Sequence, residues 1–365
     1  MKSAGSMSSL APLMALLMMG CGQRSETVGA DLLGDQSLSS TRLETGDGVG
    51  VGLHHLAGEG PPVLLVHGVA SNHHSFHLGE RSFARALVDQ GLDVWMLDLR
   101  GTGPHRGDPE AGWGSGTRWS LDDYAQQDVP AAVAHILEST GAETVGYVGH
   151  SMGGMVGAMY LAEHPDAPLS GFVALGSPVD FSEPGAQTEL ALGSARFNPS
   201  PWVDARLGAK LRAGLGGEPR TPLDAWVDQQ LFNDLDPAFR QEFYQEVASR
   251  MTRGEMKHLG LMGQVGTLCD AGGEPVLPEL AEVQVPTQVW AGSADRVAPP
   301  AQVLPLAEAL PNAEFVLAGT GEGFSVDYGH MDLVLGDNAP QEVYGVVGAF
   351  ILEQSRPEPA SGSPK

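Results

Sequence analysis

A serine flanked by glycines lies near the middle of the 365-residue chain, in the segment GHSMG at positions 149–153. The apolar run 145–148 predicts a buried strand before it, and the residues after it predict a helix. A tight strand-to-helix turn holds its central side chain in a strained conformation, and the glycines allow neighbouring backbone to approach closely. Ser151 is therefore the candidate nucleophile for attack on an acyl carbon.

A serine hydroxyl becomes a good nucleophile when a base removes its proton. For a serine on such a turn, the acid and then the histidine follow along the chain. His164, His258 and His330 lie after Ser151, and of these only His330 falls in a loop before the last helical segment. His164 ends the helix that Ser151 begins, and we expect His258 to be a substrate contact or a solvated residue. His330 is the predicted base.

The acid that orients the histidine is expected in a loop directly after a late strand. Asp295 stands just beyond such an apolar run and is the first candidate. Asp180, which follows an earlier run, is the main alternative, and Asp327 and Asp332 also stay open.

Acyl transfer requires two backbone N–H groups that stabilise the negative charge on the carbonyl oxygen. The residue after the nucleophile, Met152, is expected to supply one of them. The sequence HGV at positions 67–69 follows an early apolar run, and its turn would point the N–H of Val69 inward. Each such donor is worth roughly 3 to 4 kcal/mol in the transition state.

Two further patterns resemble binding motifs but favour ordinary loops. His73, His74 and His77 share one loop, but no carboxylate or cysteine accompanies them closely, so we expect a polar rim. The glycine-rich segment 101–107 lacks the spacing of a dinucleotide loop, and Pro104 interrupts it. We therefore predict no metal and no cofactor.

Six short apolar runs alternate with helix-like segments along the chain. The runs are 63–66, 94–97, 145–148, 172–175, 288–290 and 315–317, and the helix-like segments are 80–90, 121–138, 152–163, 301–310 and 340–352. Buried strands that alternate with helices form a mostly parallel sheet with helices on both faces. The predicted fold class is therefore α/β.

The alternation stops over residues 180–282. The segments 202–215, 222–231 and 237–253 there predict helices, without a convincing strand. Because the strand pattern then resumes, we expect a helical cap inserted into one core formed by residues 45–179 and 283–353, and not a second domain. The tail 354–365 is rich in proline and serine and is expected to be disordered.

The N-terminal segment 1–20 carries Lys2 and then an apolar run that is too short for a bilayer core of about 30 Å. It predicts a signal peptide. The following Cys21 resembles the lipidated cysteine of bacterial lipoproteins, so we expect an anchor on a membrane surface of the cell envelope, with residues 21–44 as a flexible tether. Ordinary secretion is the alternative. Lipidation would leave Cys269 without an intramolecular disulfide partner.

Acidic residues outnumber basic ones by 45 to 20, which gives a formal charge of −25. Such a chain would be repelled by a phosphate backbone, so we predict no nucleic-acid partner. The excess of acid is instead typical of a solubilising surface.

Four segments together resemble the α/β-hydrolase superfamily over about residues 45–353, and within it the acid-lipase-like branch. They are 94–101, 121–131, 147–154 and 329–332. The resemblance implies a capped, cofactor-free carboxylesterase or lipase in which Ser151, Asp295 and His330 occupy the triad positions.

The nucleophile type separates this prediction from other activities of the superfamily. Related dehalogenases and epoxide hydrolases would need an aspartate at position 151, and polymer synthases usually a cysteine. Acyltransferase, thioesterase and perhydrolase activities would use the same triad and remain alternatives. A catalytically silent, membrane-anchored binding protein is a further alternative, although a silent relative usually lacks at least one of the three residues.

Overall fold

The computed structural model describes residues 37–102, 119–183, 202–204, 222–233 and 235–356. The predicted signal peptide, Cys21, most of the predicted tether and most of the tail lie outside these residues.

Twelve strands occur in the described residues. They are β1 (Leu38–Glu44), β2 (Gly50–Leu56), β3 (Pro62–Val66), β4 (His77–Leu78), β5 (Arg81–Ser82), β6 (Asp93–Asp98), β7 (Val145–His150), β8 (Leu169–Leu175), β9 (Trp202–Asp204), β10 (Arg250–Thr252), β11 (Thr287–Gly292) and β12 (Ala313–Ala318).

Eight of these strands form one sheet in the order β1-β2-β6-β3-β7-β8-β11-β12. The six strands from β6 to β12 in this order pair in parallel, and β1 and β2 are antiparallel at one edge. The prediction of a mostly parallel sheet is confirmed. Every residue of β3, β6, β7, β8 and β11 is buried, which explains their continuous apolar runs.

Helices cover both faces of the sheet. The α-helices of the described chain are Phe83–Asp89, Leu121–Asp123, Val129–Thr140, Met152–Glu163, Pro222–Leu231, Pro237–Glu246, Arg253–Val265, Pro300–Ala309, Asp332–Leu335, Ala339–Glu342 and Tyr344–Gln354, with a π-helical turn at Tyr124–Asp128. Successive residues of β3 point to opposite sides: Leu64 joins a core with Val156, and Leu65 joins a second core with Val347. The sheet thus separates two hydrophobic cores.

The sheet begins earlier than the sequence predicts. Residues Leu38–Glu44, placed in the tether, form the edge strand β1 and pair with β2. Neither strand shows a continuous apolar run, because β1 is mostly exposed and β2 contains two glycines and two histidines. Strands were predicted from continuous apolar runs, which are typical of strands buried on both faces. This edge hairpin has no such run and was therefore not predicted.

The region 180–282 contains both helices and strands. Residues Trp202–Asp204 form β9 and pair antiparallel with β10, so the expectations of a helix from position 202 and of no strand are wrong. Strands of three residues are too short for an alternating pattern to appear in the sequence. In the described residues, no helix has both the length and the apolar character needed to cross a membrane.

Candidate active site

The predicted nucleophile lies at the sharp turn between β7 and the helix Met152–Glu163. Ser151 has φ 53° and ψ −119°, a conformation that residues other than glycine rarely adopt. Its N–H donates to the carbonyl oxygen of Leu175 at 2.8 Å, which fixes the turn to β8. A Cβ on Gly153 would overlap the carbonyl oxygen of Val66, so the helix can start this close to β3 only with glycine there.

His330 and Asp295 form a buried hydrogen-bonded pair. Nδ1–H of His330 donates to Oδ2 of Asp295 at 2.8 Å. Oδ1 of Asp295 accepts the N–H groups of Val297 and Ala298, both at 2.8 Å. The carboxylate is thereby fixed at both oxygens, and a proton held on Nδ1 leaves Nε2 as the basic nitrogen of the neutral ring.

His150 joins the serine turn to the histidine loop. Its Nε2–H donates to the main-chain oxygen of His330 at 3.1 Å, and the two ring centroids are 4.8 Å apart. Burial lowers the pKa of His150 well below its ordinary value, and the neighbouring His330 adds to this effect. The ring is therefore a neutral donor to this loop. No sequence pattern marks this role of His150, since its partner is a backbone atom 180 residues away.

The predicted oxyanion donors lie on adjacent elements. A Cβ on Gly68 would come within 3.1 Å of the Cβ of Ser151, which places the loop carrying Val69 directly against the nucleophile. Met152 is the first residue of its helix, where backbone N–H groups have no partner within the helix. Ala70, next to Val69, also has a positive φ of 53°. This arrangement suits a site for developing negative charge.

The alternative acids bind other groups. Asp180 accepts the N–H of Ser182, Asp327 accepts the hydroxyl of Thr320, and Asp332 accepts the N–H of Gly329. Of the four candidate acids, Asp295 is the one whose carboxylate the structure brings to the imidazole of His330.

His258 is a buried residue with two backbone partners. Its Nδ1 accepts the N–H of Leu121 at 3.1 Å, and its Nε2–H donates to the carbonyl oxygen of Cys269 at 2.9 Å. The whole residue is 3% exposed. The expectation of a substrate contact or solvated residue is therefore wrong, because both ring nitrogens join segments of the fold.

His73 belongs to a buried network and His77 is also buried, so the expectation of a polar rim is wrong for both residues. Nδ1–H of His73 donates to Asp98 at 3.1 Å, and His54 donates from Nε2 to the same carboxylate at 3.0 Å. The two rings stack with centroids 3.6 Å apart. Burial lowers the pKa of His73 to about 3, so its ring is neutral. The sequence does not indicate this network, because His54 in β2 and Asp98 at the end of β6 are each about 20 residues or more from His73 along the chain.

The three side chains place possible metal ligands within 4.8 Å of one another. Each histidine nitrogen that faces Asp98 is already at hydrogen-bond distance from the carboxylate, and the main-chain N–H of His73 donates to it at 2.7 Å. The other ring nitrogen of His54 lies 2.8 Å from the hydroxyl of Ser40. These hydrogen bonds hold the loop after Val69 onto β2 and β6.

The family described as alpha/beta hydrolase fold matches residues 61–327, most of the chain. The chain belongs to this family. The predicted superfamily is thereby confirmed. The matched segment of this hydrolase includes Ser151 and Asp295.

Lipases are found among the curated relatives of the hydrolase. Gastric triacylglycerol lipase of Mus musculus is 25% identical over 333 residues, which cover 81% of this chain and 81% of the lipase. Lysosomal acid lipase/cholesteryl ester hydrolase of Homo sapiens is 34% identical over 129 residues, which cover 34% of this chain and 32% of that protein.

Solved structures share the fold of this hydrolase. A thermophilic esterase from Thermogutta terrifontis aligns with a TM-score of 0.58 at 19% identity, covering 87% of this chain and all of the esterase. A membrane phospholipase A, described as a bacterial virulence factor, aligns with a TM-score of 0.54 at 19% identity and covers 87% of each chain.

Proposed function

We propose that this α/β-hydrolase cleaves carboxylic esters through an acyl-enzyme on Ser151, with His330 as the base and Asp295 as the acid that orients it. The observation that carries the proposal is the 2.8 Å hydrogen bond between His330 and Asp295, in a loop to which His150, the residue before the strained Ser151, is hydrogen-bonded. A base, an orienting carboxylate and a strained serine are the parts that acyl transfer needs.

The proposed reaction has two steps. Nε2 of His330 accepts the hydroxyl proton as Oγ of Ser151 attacks the carbonyl carbon, and the N–H groups of Val69 and Met152 stabilise the oxyanion. The imidazolium then protonates the leaving alkoxide, and an acyl-enzyme and an alcohol result. Water, deprotonated by the same imidazole, attacks the acyl-enzyme and releases the carboxylic acid and free Ser151.

The relatives support an ester as the substrate. The printed names of the curated relatives include a triacylglycerol lipase and a cholesteryl ester hydrolase, both of which describe carboxylic esters. Similar structures include an esterase and a phospholipase, and at 19% identity these support the fold. A series of esters of increasing acyl chain length would measure which chain length the site prefers.

Hydrolysis of p-nitrophenyl esters from acetate to palmitate tests the proposal. We expect turnover by the wild-type protein and a loss on the order of 10⁶-fold in kcat for Ser151→Ala if the triad acts as a unit. Ser139→Ala, a truncation of an exposed serine on another helix, is the matched control and should retain the wild-type rate.

A fluorophosphonate probe provides a second readout, because it forms a covalent bond with an activated serine. The wild type and Ser139→Ala should be labelled, and Ser151→Ala should not. Folded wild-type protein that neither reacts with the probe nor hydrolyses any of the esters would refute the enzyme and favour a binding role.

We also propose that the chain is exported and anchored by lipidation of Cys21. The short apolar segment before Cys21 supports this location, since it suits a cleaved signal peptide. The anchor would place the hydrolase at a membrane surface of the cell envelope, where lipid esters are concentrated.

A further inference from the structure

One end of the cap is bound to the loop that carries the predicted oxyanion donor. Nδ2 of Asn72 donates to the carbonyl oxygens of Glu246 and Val247, at 2.9 and 3.1 Å. The N–H of Ser249 donates back to the carbonyl oxygen of Ala70 at 2.8 Å. The helix Pro237–Glu246 ends here. The last carbonyl groups of a helix have no N–H partner within the helix, and the side-chain amide of Asn72 donates hydrogen bonds to the carbonyl groups at this end.

A second cap helix ends on the loop that carries the predicted base. The N–H of Met331 donates to the carbonyl oxygen of Leu231, the last residue of its helix, at 2.8 Å. Oδ2 of Asp332 accepts the N–H of Asn233 at 2.7 Å and the N–H of Gly329 at 2.8 Å. Asp332 is completely buried, so one oxygen joins the cap to the residue before His330.

We infer that the described cap residues 231–233 and 235–249 act as a brace between the two catalytic loops, and that Asn72 and Asp332 are the positioning residues through which it acts. The inference rests on the proposed function. Its basis is that two cap helices, Pro222–Leu231 and Pro237–Glu246, end in hydrogen bonds to catalytic loops, one beside His330 and the other beside Val69. The brace fixes the predicted oxyanion donor and the predicted base relative to each other.

The chemistry of the two residues explains why they are suited to the brace. Asn72 is 6% exposed, and its Oδ1 accepts the N–H of His74 at 2.9 Å while its amide nitrogen binds the cap. The carboxylate of Asp332 accepts two N–H groups and is completely buried. Loss of either bond leaves buried polar backbone groups unsatisfied, so the loops would shift to find other partners.

Four variants test the brace, with p-nitrophenyl butyrate as the probe substrate. Asn72→Asp keeps the shape and the acceptor for His74 but removes the donor to the cap. Asp332→Leu removes the acceptor, whereas Asp332→Asn keeps one oxygen where Oδ2 stands. Gln245→Ala truncates an exposed residue of the same cap helix and is the control.

The expected result is a separation of kcat from KM. Asn72→Asp and Asp332→Leu should lower kcat roughly 10- to 100-fold, because small displacements of catalytic groups have effects of this order. KM should change by less than about threefold, because these residues hold the catalytic loops. Asp332→Asn should recover most of the rate, and Gln245→Ala should match the wild type. Rates of fluorophosphonate labelling should follow the same order.

Wild-type kcat in folded Asn72→Asp and Asp332→Leu would overturn the brace, and so would an equal loss in Asp332→Asn and Asp332→Leu. If Asp332→Leu does not fold, Asn72→Asp against Gln245→Ala decides the question. An inactive wild type would instead refute the proposed esterase, so the two failures can be told apart.

Discussion

Asp295 uses its two carboxylate oxygens for different tasks. Oδ2 accepts from His330, and Oδ1 accepts from two successive backbone N–H groups of its own loop, those of Val297 and Ala298. The loop thus fixes the direction of the carboxylate before the imidazole binds to it. A carboxylate fixed in this way stabilises the imidazolium that forms during acyl transfer and keeps the proton of the neutral ring on Nδ1.

Substitution of the predicted acid tests this assignment. Asp295→Asn should lower kcat by about 10⁴-fold, because an amide that donates to His330 would favour the wrong tautomer. Asp180→Asn is the matched control, since Asp180 accepts from the backbone of Ser182, and it should stay within about twofold of the wild type. Ester hydrolysis at saturating substrate measures both. A larger loss in Asp180→Asn than in Asp295→Asn would contradict the assignment.

At the scale of elements, the helix Arg253–Val265 begins with a buried carboxyl group. Glu255 forms a capping box with Thr252 and accepts the hydroxyl of Tyr124 at 2.9 Å. Burial raises the pKa of Glu255 to about 7, although the hydrogen bonds from Tyr124 and Thr252 oppose the shift. The folded state therefore favours the protonated form of this side chain.

The raised pKa predicts a stability that falls with pH. Glu255 binds its proton more tightly in the folded than in the unfolded chain, so its contribution declines from about pH 4.5 to pH 7 and is then constant. Over this pH range the loss of folding stability that Glu255 causes is about 3 kcal/mol. Glu255→Gln stays neutral and keeps an acceptor for Tyr124.

Urea unfolding of Glu255→Gln and the wild type at pH 5 and pH 8 measures this contribution. The variant should be more stable than the wild type at pH 8, and the difference should be much smaller at pH 5. An equal difference at both values would show that Glu255 does not carry the dependence.

The elements predicted from the sequence are those with strong local patterns. Strands buried on both faces gave continuous apolar runs, and the helix Met152–Glu163 was predicted at its observed bounds. The hairpin of β1 and β2 and the pair of β9 and β10 were missed. β1 is mostly exposed, glycines and histidines interrupt β2, and β9 and β10 have three residues each. Turn chemistry around Ser151 and chain order predicted His330 as the base, whereas they left Asp180 open beside Asp295 as the acid. The structure brings Asp295 to the imidazole of His330.

The network of His54 and Asp98 and the contacts of Asn72 with the cap depend on the tertiary structure. Asn72 and its partners Glu246 and Val247 are more than 170 residues apart, and those partners are backbone carbonyls that every residue type possesses. No sequence pattern marks such a contact.

At the scale of the whole molecule, charge and location are connected. The chain carries a formal charge of −25, which would repel an anionic lipid surface at short range. Stable contact with a membrane would therefore require a hydrophobic anchor, which the proposed lipid on Cys21 would supply. Cys269 is buried, and burial raises the pKa of its thiol to about 11, so this second cysteine is chemically inert.

Membrane fractionation of the full chain, produced in a bacterium that processes lipoproteins, tests the anchor. Cys21→Ser should move the protein from the membrane to the soluble fraction, and Cys269→Ala should leave it with the membrane. Esterase activity per molecule should be unchanged in Cys21→Ser. Membrane retention of Cys21→Ser would exclude Cys21 as the anchor.

Among the described residues, Ser151 and Ala70 are the two residues other than glycine with positive φ. Each conformation is disfavoured by about 1 to 2 kcal/mol, and each lies beside a predicted oxyanion donor. Glycine would relieve this strain at either position and also loosen the site. A glycine at either position would therefore raise the thermal stability of the fold but lower the turnover of the enzyme. A lineage that adapts to higher temperature and keeps its activity would have to gain stability at other positions.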